Sequence, residues 1–221
     1  AARVREYAPK GIILSGGPNS VFEEGAPDID RGIFELGIPV LGVCYGMQLM
    51  SQELGGKVQP GEKREYGKTE MTVEPGNELF KGLPDKFVVW MSHGDRVSAI
   101  PDGFKVSATS ANCPYAAIRH EGKRFYGIQF HPEVVHTENG KQILANFIFL
   151  VCGAKADWQL TTWIDDTVAK LRAQVGDDEV VLGLSGGVDS SVAAVLLSKA
   201  IGRRLHCIFV DNGLLRYREA E

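Results

Sequence analysis

A buried strand that leads through a tight turn straight into a helix constrains the fold of this chain more than any other feature. The apolar run from Ile38 to Val43 precedes the turn, and a helical segment from Met47 to Leu54 follows it and stops at Gly55-Gly56. The turn itself reads Gly42-Val43-Cys44-Tyr45-Gly46. Small residues around a reactive side chain are typical of a strained strand-to-helix turn that presents a nucleophile. The thiol of Cys44 would lie at the positive end of a helix, which favours the thiolate.

The segments before this turn predict an α/β domain. Gly11-Ile12-Ile13-Leu14-Ser15 is typical of a buried strand, Gly16-Gly17-Pro18-Asn19 of a sharp loop, and Asp28 to Leu36 of a helix. Strand, helix, strand and helix in succession are the pattern of a parallel sheet. Ligands bind at the carboxyl ends of such strands, where Gly17 and Cys44 both lie.

Between Lys57 and Phe130 the pattern changes to short alternating runs, which indicate antiparallel or mixed strands appended to the parallel core. Tyr115 to Arg119 and Arg124 to Phe130 predict a hairpin, and a helix is expected from about Gly140 to Val151. Residues 1–152 are therefore predicted to form a domain with a mixed, mainly parallel sheet.

A second domain is predicted over residues 158–221, after a linker at 153–157. Its opening helix has apolar residues at helical spacing, namely Ile164, Val168, Leu171 and Val175. A strand from Glu179 to Leu184, a helix from Ser191 to Ile201 and a strand from Leu205 to Val210 follow. This order indicates the first part of a doubly wound, parallel-sheet nucleotide-binding domain, and we expect both domains to be truncated.

Composition excludes several kinds of partner. The formal net charge is −4 and basic residues do not cluster, so we expect no nucleic-acid partner and no acidic membrane surface. The cysteines form no C-x-x-C pair, so neither a zinc site nor a disulfide framework is predicted, and a reduced, cytoplasmic setting fits best. No apolar run approaches the roughly 20 residues needed to cross a bilayer, so we expect no membrane partner.

A candidate base for Cys44 follows the predicted hairpin, in Phe130-His131-Pro132-Glu133. Alternate residues of an extended segment share a face, so His131 and Glu133 can point the same way, with Pro132 stiffening the link. A carboxylate beside an imidazole sets its tautomer and stabilises the imidazolium that forms when a thiol gives up its proton. Two interpretations stay open: a catalytic triad, or a structural cysteine and an unrelated solvated strand end.

Four ordered motifs resemble those of the triad-type, class I glutamine amidotransferases. They are Ser15-Gly16-Gly17-Pro18, Gly42-Val43-Cys44-Tyr45-Gly46-Met47-Gln48, Ser92-His93-Gly94-Asp95 and His131-Pro132-Glu133. The resemblance implies that Cys44 attacks the side-chain amide of glutamine, that His131 protonates the departing ammonia and that Glu133 orients His131.

The same resemblance implies an oxyanion hole made by the backbone amides of Gly17 and Tyr45. It also implies that Gln48, Ser92 and His93 bind the substrate glutamine. In one respect the sequence departs from the family: the first strand and glycine loop that normally open the domain are missing.

The second motif of the chain is a glycine-bearing loop between a strand and a helix. It reads Leu184-Ser185-Gly186-Gly187-Val188-Asp189-Ser190-Ser191. Consecutive backbone amides of such a loop, at a helix N-terminus, can bind phosphate oxygens, although the Gly-Lys-[Ser/Thr] ending of the Walker loop is absent. A helix start that binds nothing is the alternative.

The full string resembles the pyrophosphate loop of the ATP pyrophosphatases. That resemblance implies a set of ATP- and pyrophosphate-binding residues: Ser185, Gly186, Gly187, Val188, Asp189 and Ser190. It also implies a magnesium (Mg2+) contact for Asp189. The segment from Phe209 to Arg216 matches as well, and implies that Val210 lies near the adenine.

An amidotransferase domain followed by a pyrophosphate loop resembles the family of glutamine-hydrolysing GMP synthetases, ligases of GMP and purine biosynthesis. The resemblance implies that glutamine yields ammonia, that ATP adenylates xanthosine monophosphate (XMP), and that ammonia displaces AMP to give GMP. It also implies a homodimer formed through a part absent from this sequence. We expect the 221 residues to be competent at most for glutamine hydrolysis. The alternatives are a stand-alone γ-glutamyl thiol hydrolase and an inactive amidotransferase-like regulatory module.

Overall fold

Two units make up the chain, Ala1–Lys155 and Ala156–Glu221. The computed structural model describes residues 1–157 and 160–209, apart from the side chains of residues 62–64. The domain limits given above, 1–152 and 158–221 with a linker at 153–157, stay a prediction.

Seven strands form one sheet among the described residues of the first unit. They are β1 (Ile12–Leu14), β2 (Val40–Val43), β3 (Lys57–Val73), β4 (Lys86–Ala99), β5 (Phe104–Ser110), β6 (Ala117–His120) and β7 (Phe125–Ile128). Their order across the sheet is β1-β2-β7-β6-β5-β3-β4.

The α/β class and the mixed sheet are confirmed, but the sheet is mainly antiparallel, which corrects the expectation of a mainly parallel one. Two pairings, β1 with β2 and β2 with β7, are parallel. The other four are antiparallel, including the predicted hairpin of β6 and β7. The antiparallel part of the sheet is larger than expected because β3 and β4 are long strands of 17 and 14 residues. The alternation of apolar and polar residues along the sequence indicates only the most regularly alternating parts of these strands.

The helices that cover the sheet are short. The α-helices of the first unit are α1 (Ala2–Tyr7), α2 (Tyr45–Glu53) and α3 (Gly140–Ala145), and α3 continues as a π-helix over Asn146–Val151. The helix predicted from Asp28 to Leu36 is only a short 3-10 helix at Arg31–Glu35. Gly32 within that segment weakens an α-helix, and Gly37 follows with φ +70°.

Among the described residues of the first unit, the core consists of two buried clusters, as expected for a sheet that is covered on both faces. Neighbouring residues of β2 contribute to different clusters: Leu41 packs with Phe130 and Phe147, whereas Val40 packs with Phe34. Successive side chains of a strand point to opposite faces, so this alternation places the two clusters on the two faces of the sheet.

The parallel strands bring three loops to one edge of the sheet. Leu14 of β1 pairs with Gly42 of β2, and Val43 of β2 pairs with Ile128 of β7. The residues after these strands therefore emerge side by side. They include Gly16, Cys44 and His131.

The second unit contains α4 (Leu160–Val175), β8 (Val180–Leu184), α5 (Val188–Ile201) and β9 (Leu205–Phe209) among its described residues. β8 and β9 are parallel, with Leu184 opposite Phe209, as the sequence predicts. Arg172 of α4 donates to the carbonyl of Ala200 at 3.0 Å and so ties α4 to the end of α5. Val210 lies outside the described residues. None of the helices in residues 1–157 and 160–209 is long and apolar enough to cross a membrane.

Candidate active site

Cys44 lies on the turn between β2 and α2, with backbone angles of φ 50° and ψ −107°. Such a conformation is uncommon for a residue with a side chain and persists only where the surroundings fix it. The flanking residues Gly42 and Gly46 must be glycines because neither position has room for a side chain. A Cβ on Gly46 would overlap the Leu14 carbonyl, and a Cβ on Gly42 would lie 2.7 Å from the Gly46 carbonyl oxygen. The strained turn therefore holds Cys44 at the N-terminus of α2.

The sulfur of Cys44 lies among polar groups although the residue is only 4% exposed. Its Sγ is 3.6 Å from the Ser92 carbonyl oxygen, which accepts from the thiol. The side-chain amide of Gln129 donates to the same sulfur, with Nε2 at 3.7 Å. The sulfur therefore lies between a hydrogen-bond acceptor and a hydrogen-bond donor.

His131 and Glu133 form a hydrogen-bonded pair, with Nδ1 and Oε1 2.7 Å apart. The sequence predicts that both residues lie on one extended strand, but Pro132 and Glu133 belong to a turn. The main chain at His131 is fixed by a hydrogen bond, since His131 N donates to the Trp90 carbonyl at 3.0 Å. The carboxylate accepts from Nδ1–H and so leaves Nε2 as the free ring nitrogen.

Cys44 and His131 meet beside Gly16. A Cβ on Gly16 would lie 2.8 Å from Cε1 of His131 and 3.6 Å from Cβ of Cys44. The neighbouring thiol of Cys44, assisted by Glu133, outweighs partial burial and raises the pKa of His131 to about 9. The imidazole is therefore a strong enough base to hold the proton of a thiol.

A pocket of about 680 Å³ opens beside these residues. Cys44, His131, and the predicted oxyanion residues Gly17 and Tyr45 all line it. Tyr45 is the first residue of α2, and a helix leaves its first N–H groups without partners inside the helix. Gly17 lies beside it, since a Cβ there would be 3.7 Å from the Tyr45 ring. Gly17 and Tyr45 therefore lie next to each other in the lining of the pocket.

The three residues predicted to bind glutamine also line this pocket. Gln48 is buried, and its Nε2 donates to the Asp95 carbonyl at 2.8 Å and to Oε1 of Gln129 at 3.3 Å. His93 is buried as well, with Nδ1 3.0 Å from the same Asp95 carbonyl. Burial lowers the pKa of His93, against the opposing effect of Glu65. Ser92 contributes its carbonyl to the sulfur of Cys44.

The loop of the second unit closes on itself through serine hydroxyls. Ser185 Oγ lies 3.1 Å from Ser190 Oγ and accepts from the backbone N–H of Gly187 at 3.3 Å. Gly186 has φ +78°, which favours glycine. The 14-residue helix α5 begins at Val188 with no side-chain hydrogen bond at its cap residue, Gly187, and Asp189 stands in its first turn. The first N–H groups of this helix are therefore available to an anion.

Comparison with known families agrees with both parts of this geometry. The family model for glutamine amidotransferase class-I matches residues 1–151. The chain belongs to the class I glutamine amidotransferase family. A second family model, NAD synthase, matches residues 158–211.

Relatives of this amidotransferase chain are longer proteins. A protein named GMP synthase [glutamine-hydrolyzing] from Lacticaseibacillus rhamnosus is 59% identical over 222 residues, which are 100% of this chain and 43% of the relative. Its namesake from Maridesulfovibrio salexigens is 54% identical over 99% of this chain and 43% of the relative. The chain thus spans less than half the length of these curated relatives.

A solved structure supports the amidotransferase fold. It is that of a protein from Thermoplasma acidophilum, provisionally named as one subunit of a GMP synthase, which is 35% identical with a TM-score of 0.56. The match covers 65% of this chain and 73% of that one.

Two residues of the amidotransferase site were missed from the sequence. Gln129 is fully buried next to Cys44, and its position as a lone polar residue just before Phe130 and His131 could have singled it out. Glu65 is buried against His93, with Oε2 3.2 Å from Nε2. Nothing in the local pattern around Glu65 indicates this pairing, because the two residues lie in different strands.

Proposed function

We propose that this chain supplies the glutamine-hydrolysing domain, and the beginning of the ATP-using domain, of a GMP synthase. The observation that carries the proposal is the meeting of Cys44 with the His131–Glu133 pair at the wall of one pocket. The relatives named for GMP synthesis and the NAD synthase match after residue 157 support the larger assignment.

In the proposed reaction His131 takes the proton of Cys44, and Glu133 stabilises the imidazolium through its hydrogen bond to Nδ1. The Cys44 thiolate then attacks the side-chain carbonyl carbon of glutamine. A tetrahedral oxyanion forms, and the backbone amides of Gly17 and Tyr45 are proposed to donate to it. Preorganised donors of this kind are worth about 10²–10³ in rate each.

Collapse of the tetrahedral intermediate breaks the carbon–nitrogen bond, and His131 donates its proton so that ammonia leaves. A thioester between Cys44 and the γ-glutamyl group remains. His131 then takes a proton from water, the hydroxide adds to the thioester, and glutamate departs as the Cys44 thiolate is released. The sum is glutamine plus water giving glutamate plus ammonia. Gln48, Ser92 and His93 are proposed to hold the substrate in the pocket.

The loop of the second unit fits ATP. The start of α5 offers backbone N–H groups, and Ser185, Gly186, Gly187, Val188 and Ser190 are proposed to bind its phosphates. Asp189 would repel a phosphate placed there unless a cation stood between them, which fits a role in holding Mg2+. The cation would neutralise the charge that develops on the departing pyrophosphate.

The complete reaction is proposed for a longer protein that contains this chain. ATP would adenylate XMP with loss of pyrophosphate, and ammonia would displace AMP to give GMP. Val210 near the adenine, a homodimer, a cytoplasmic location and the absence of nucleic-acid and membrane partners stay predictions.

The decisive experiment compares two nitrogen sources in the full-length protein. The variant Cys44→Ala should lose GMP formation from glutamine and keep GMP formation from ammonium chloride, because only the first route needs the thiol. Cys207→Ala is the matched control, since Cys207 is exposed in the second unit. Retained glutamine-dependent synthesis in Cys44→Ala would contradict the proposal.

The same comparison separates the alternatives. A stand-alone γ-glutamyl hydrolase would release glutamate but form no GMP from either nitrogen source. A regulatory module would release no glutamate at all. The phosphate-compatible loop of the second unit favours the synthase over both.

A further inference from the structure

We propose that Gln129 is a further catalytic residue of this site. Its side-chain amide donates to the Cys44 sulfur, and a buried chain of polar contacts that begins at Glu65 holds the amide in the donating orientation. This inference deepens the proposed function and rests on it, because it assigns a role in activating the proposed nucleophile.

Burial and a backbone hydrogen bond hold Gln129 in place beside Cys44. The residue is 0% exposed, and its backbone N–H donates to the Ala116 carbonyl at 2.9 Å. At the far end of the side chain, Nε2 lies 3.7 Å from Sγ of Cys44. A hydrogen bond to a neutral thiol is weak, whereas one to a thiolate is charge-assisted and about twice as strong as a neutral one. The contact therefore favours the ionised nucleophile.

The orientation of the Gln129 amide is fixed by its neighbour Gln48. Nε2 of Gln48 donates to the Asp95 carbonyl, which can only accept, and its second hydrogen points to Oε1 of Gln129. If the Gln129 amide were reversed, its NH2 group would face the NH2 group of Gln48, and its oxygen would face the sulfur. Two donors cannot satisfy each other, so the amide must present its NH2 group to Cys44.

The Asp95 carbonyl is held in turn by His93. Nδ1 of His93 lies 3.0 Å from this oxygen and must carry a hydrogen to donate to it. In a neutral ring Nε2 then has only a lone pair, and it faces Glu65 Oε2 at 3.2 Å. Both residues are more than nine-tenths buried, and among the described residues neither Nε2 nor the Glu65 oxygens have a hydrogen-bond partner. Two lone pairs would repel there, so Glu65 and His93 must share one proton.

A bound metal ion is the other explanation for unpartnered polar atoms at this place. Glu65, His93 and Cys113 offer ligand atoms that lie within 4.8 Å of one another. Burial raises the pKa of the Cys113 thiol to about 12, which disfavours the thiolate that metals bind as long as no cation is present. The shared proton accounts for the Glu65–His93 contact without an ion.

The first test measures how fast iodoacetamide alkylates Cys44 between pH 5 and 9, followed by peptide mass spectrometry, in the chain of 221 residues. Gln129→Leu keeps the size of the side chain and removes the donor. We expect alkylation below the midpoint of the pH profile to slow by about tenfold, as for the loss of one hydrogen bond to a charged group, and the midpoint to move upward. Gln52→Leu, at an exposed position of α2, is the control and should follow the wild type.

Because Gln129 is buried, a second variant is needed to distinguish the loss of the hydrogen-bond donor from misfolding. Gln129→Glu keeps the shape and replaces the donor with a group that repels a thiolate, so it should slow alkylation at neutral pH at least as much as Gln129→Leu. Near-UV circular dichroism reports whether each variant keeps its packing. A variant pair that is folded and alkylated at the wild-type rate over the whole pH range overturns the role of Gln129.

The role of Glu65 is tested by rescue. Glu65→Leu removes the partner of His93 and should lower both the alkylation rate and kcat by about tenfold. Glu65→Gln can still donate to Nε2 of His93, so it should stay within about threefold of the wild type. Glu70→Leu, at an exposed position of β3, is the control. Equal losses in Glu65→Leu and Glu65→Gln, or one equivalent of zinc found by elemental analysis of the purified chain, overturn the shared proton.

Glutamine kinetics separate this inference from the proposed function. If the wild type hydrolyses glutamine, Gln129→Leu should lower kcat about tenfold and change KM by less than about twofold, because the contact is made to the nucleophile rather than to the substrate. A large change in KM with unchanged kcat contradicts the inference. If the wild type does not hydrolyse glutamine although Gln129→Leu shifts the alkylation profile, the proposed function fails and the Gln129–Cys44 relationship stands.

Discussion

Oε1 of Glu133 lies 2.7 Å from Nδ1 of His131, on a turn that leaves the carboxylate half exposed and the imidazole mostly covered. The short contact fixes the ring tautomer and leaves Nε2 as the nitrogen that can serve Cys44. Because the His131–Glu133 pair depends on one exposed carboxylate, a single conservative substitution of Glu133 should change the pKa of His131.

Replacing that carboxylate should lower the basicity of His131. The pKa of His131 is raised to about 9, chiefly by Cys44 and further by Glu133. In Glu133→Gln we expect the pKa to fall towards the usual value of about 6.5, with at least about a tenfold loss of glutaminase kcat. NMR titration of labelled histidine measures the first effect. Glu74→Gln, at an exposed position just after β3, is the control. A titration curve unchanged by Glu133→Gln would count against the dyad.

The same raised pKa makes stability depend on pH in a definite direction. A folded-state pKa above the unfolded one means that the folded protein binds the proton more tightly, so the stabilisation is complete below about pH 6.5 and is lost as the pH rises through about 9. Urea unfolding of the wild type and of His131→Asn at pH 6 and pH 9.5 measures this. The difference in free energy of unfolding between the two proteins should be larger at pH 6, and a difference that is larger at pH 9.5 would reverse the assignment.

Space beside Gly16 should matter for catalysis rather than for folding. A Cβ there would lie 2.8 Å from Cε1 of His131, so Gly16→Ala must displace the ring. We expect kcat for glutamine to fall by about tenfold or more, because a small misplacement of a catalytic group is costly. Gly183→Ala is the control, since a Cβ on Gly183 meets no atom within 4 Å. An unaffected kcat in Gly16→Ala would show that the ring position tolerates displacement.

Asn146 should be important for stability although it is remote from the chemistry. Its buried Nδ2 donates to the carbonyls of Leu79 and Lys81 at 3.0 and 2.9 Å, and so ties the π-helix to a 3-10 turn. Asn146→Ala leaves both carbonyls without this donor and should lower the free energy of unfolding by about 2–3 kcal/mol. Urea denaturation provides the value, with the exposed Asn112→Ala as control. Equal stability of the two variants would mean that water replaces the lost donor.

A substitution of Asp189 tests the proposed phosphate site of the second unit separately from glutamine hydrolysis. In the full-length protein, Asp189→Ala should reduce ATP–pyrophosphate exchange by at least about a hundredfold, since it removes the proposed Mg2+ contact, while glutamine hydrolysis continues. Asp166→Ala, at an exposed position of α4, is the matched control. Normal exchange in Asp189→Ala would remove the support for the proposed phosphate site.

The sequence was most informative where chemistry depends on neighbours along the chain. The strand, turn and helix around Cys44 are local, because only a positive-φ turn with small flanking residues fits between β2 and α2. The pair of His131 and Glu133 is local as well, and its contact forms even though the segment is a turn rather than the expected extended strand. The hairpin of β6 and β7 is likewise predicted, because its two strands are neighbours along the chain.

Only the tertiary structure decided which distant residues complete the site. β3 changes register against β4 between Pro60 and Glu65, and this irregularity brings Glu65 opposite His93. A slip of one residue would turn the other face of the strand towards the core and put Tyr66, which is 65% exposed, in the place of the carboxylate. Likewise, Gln129 meets Cys44 because β2 and β7 are parallel neighbours. The register of strands that are far apart in the chain depends on packing across the whole sheet, and no local pattern of residues records it.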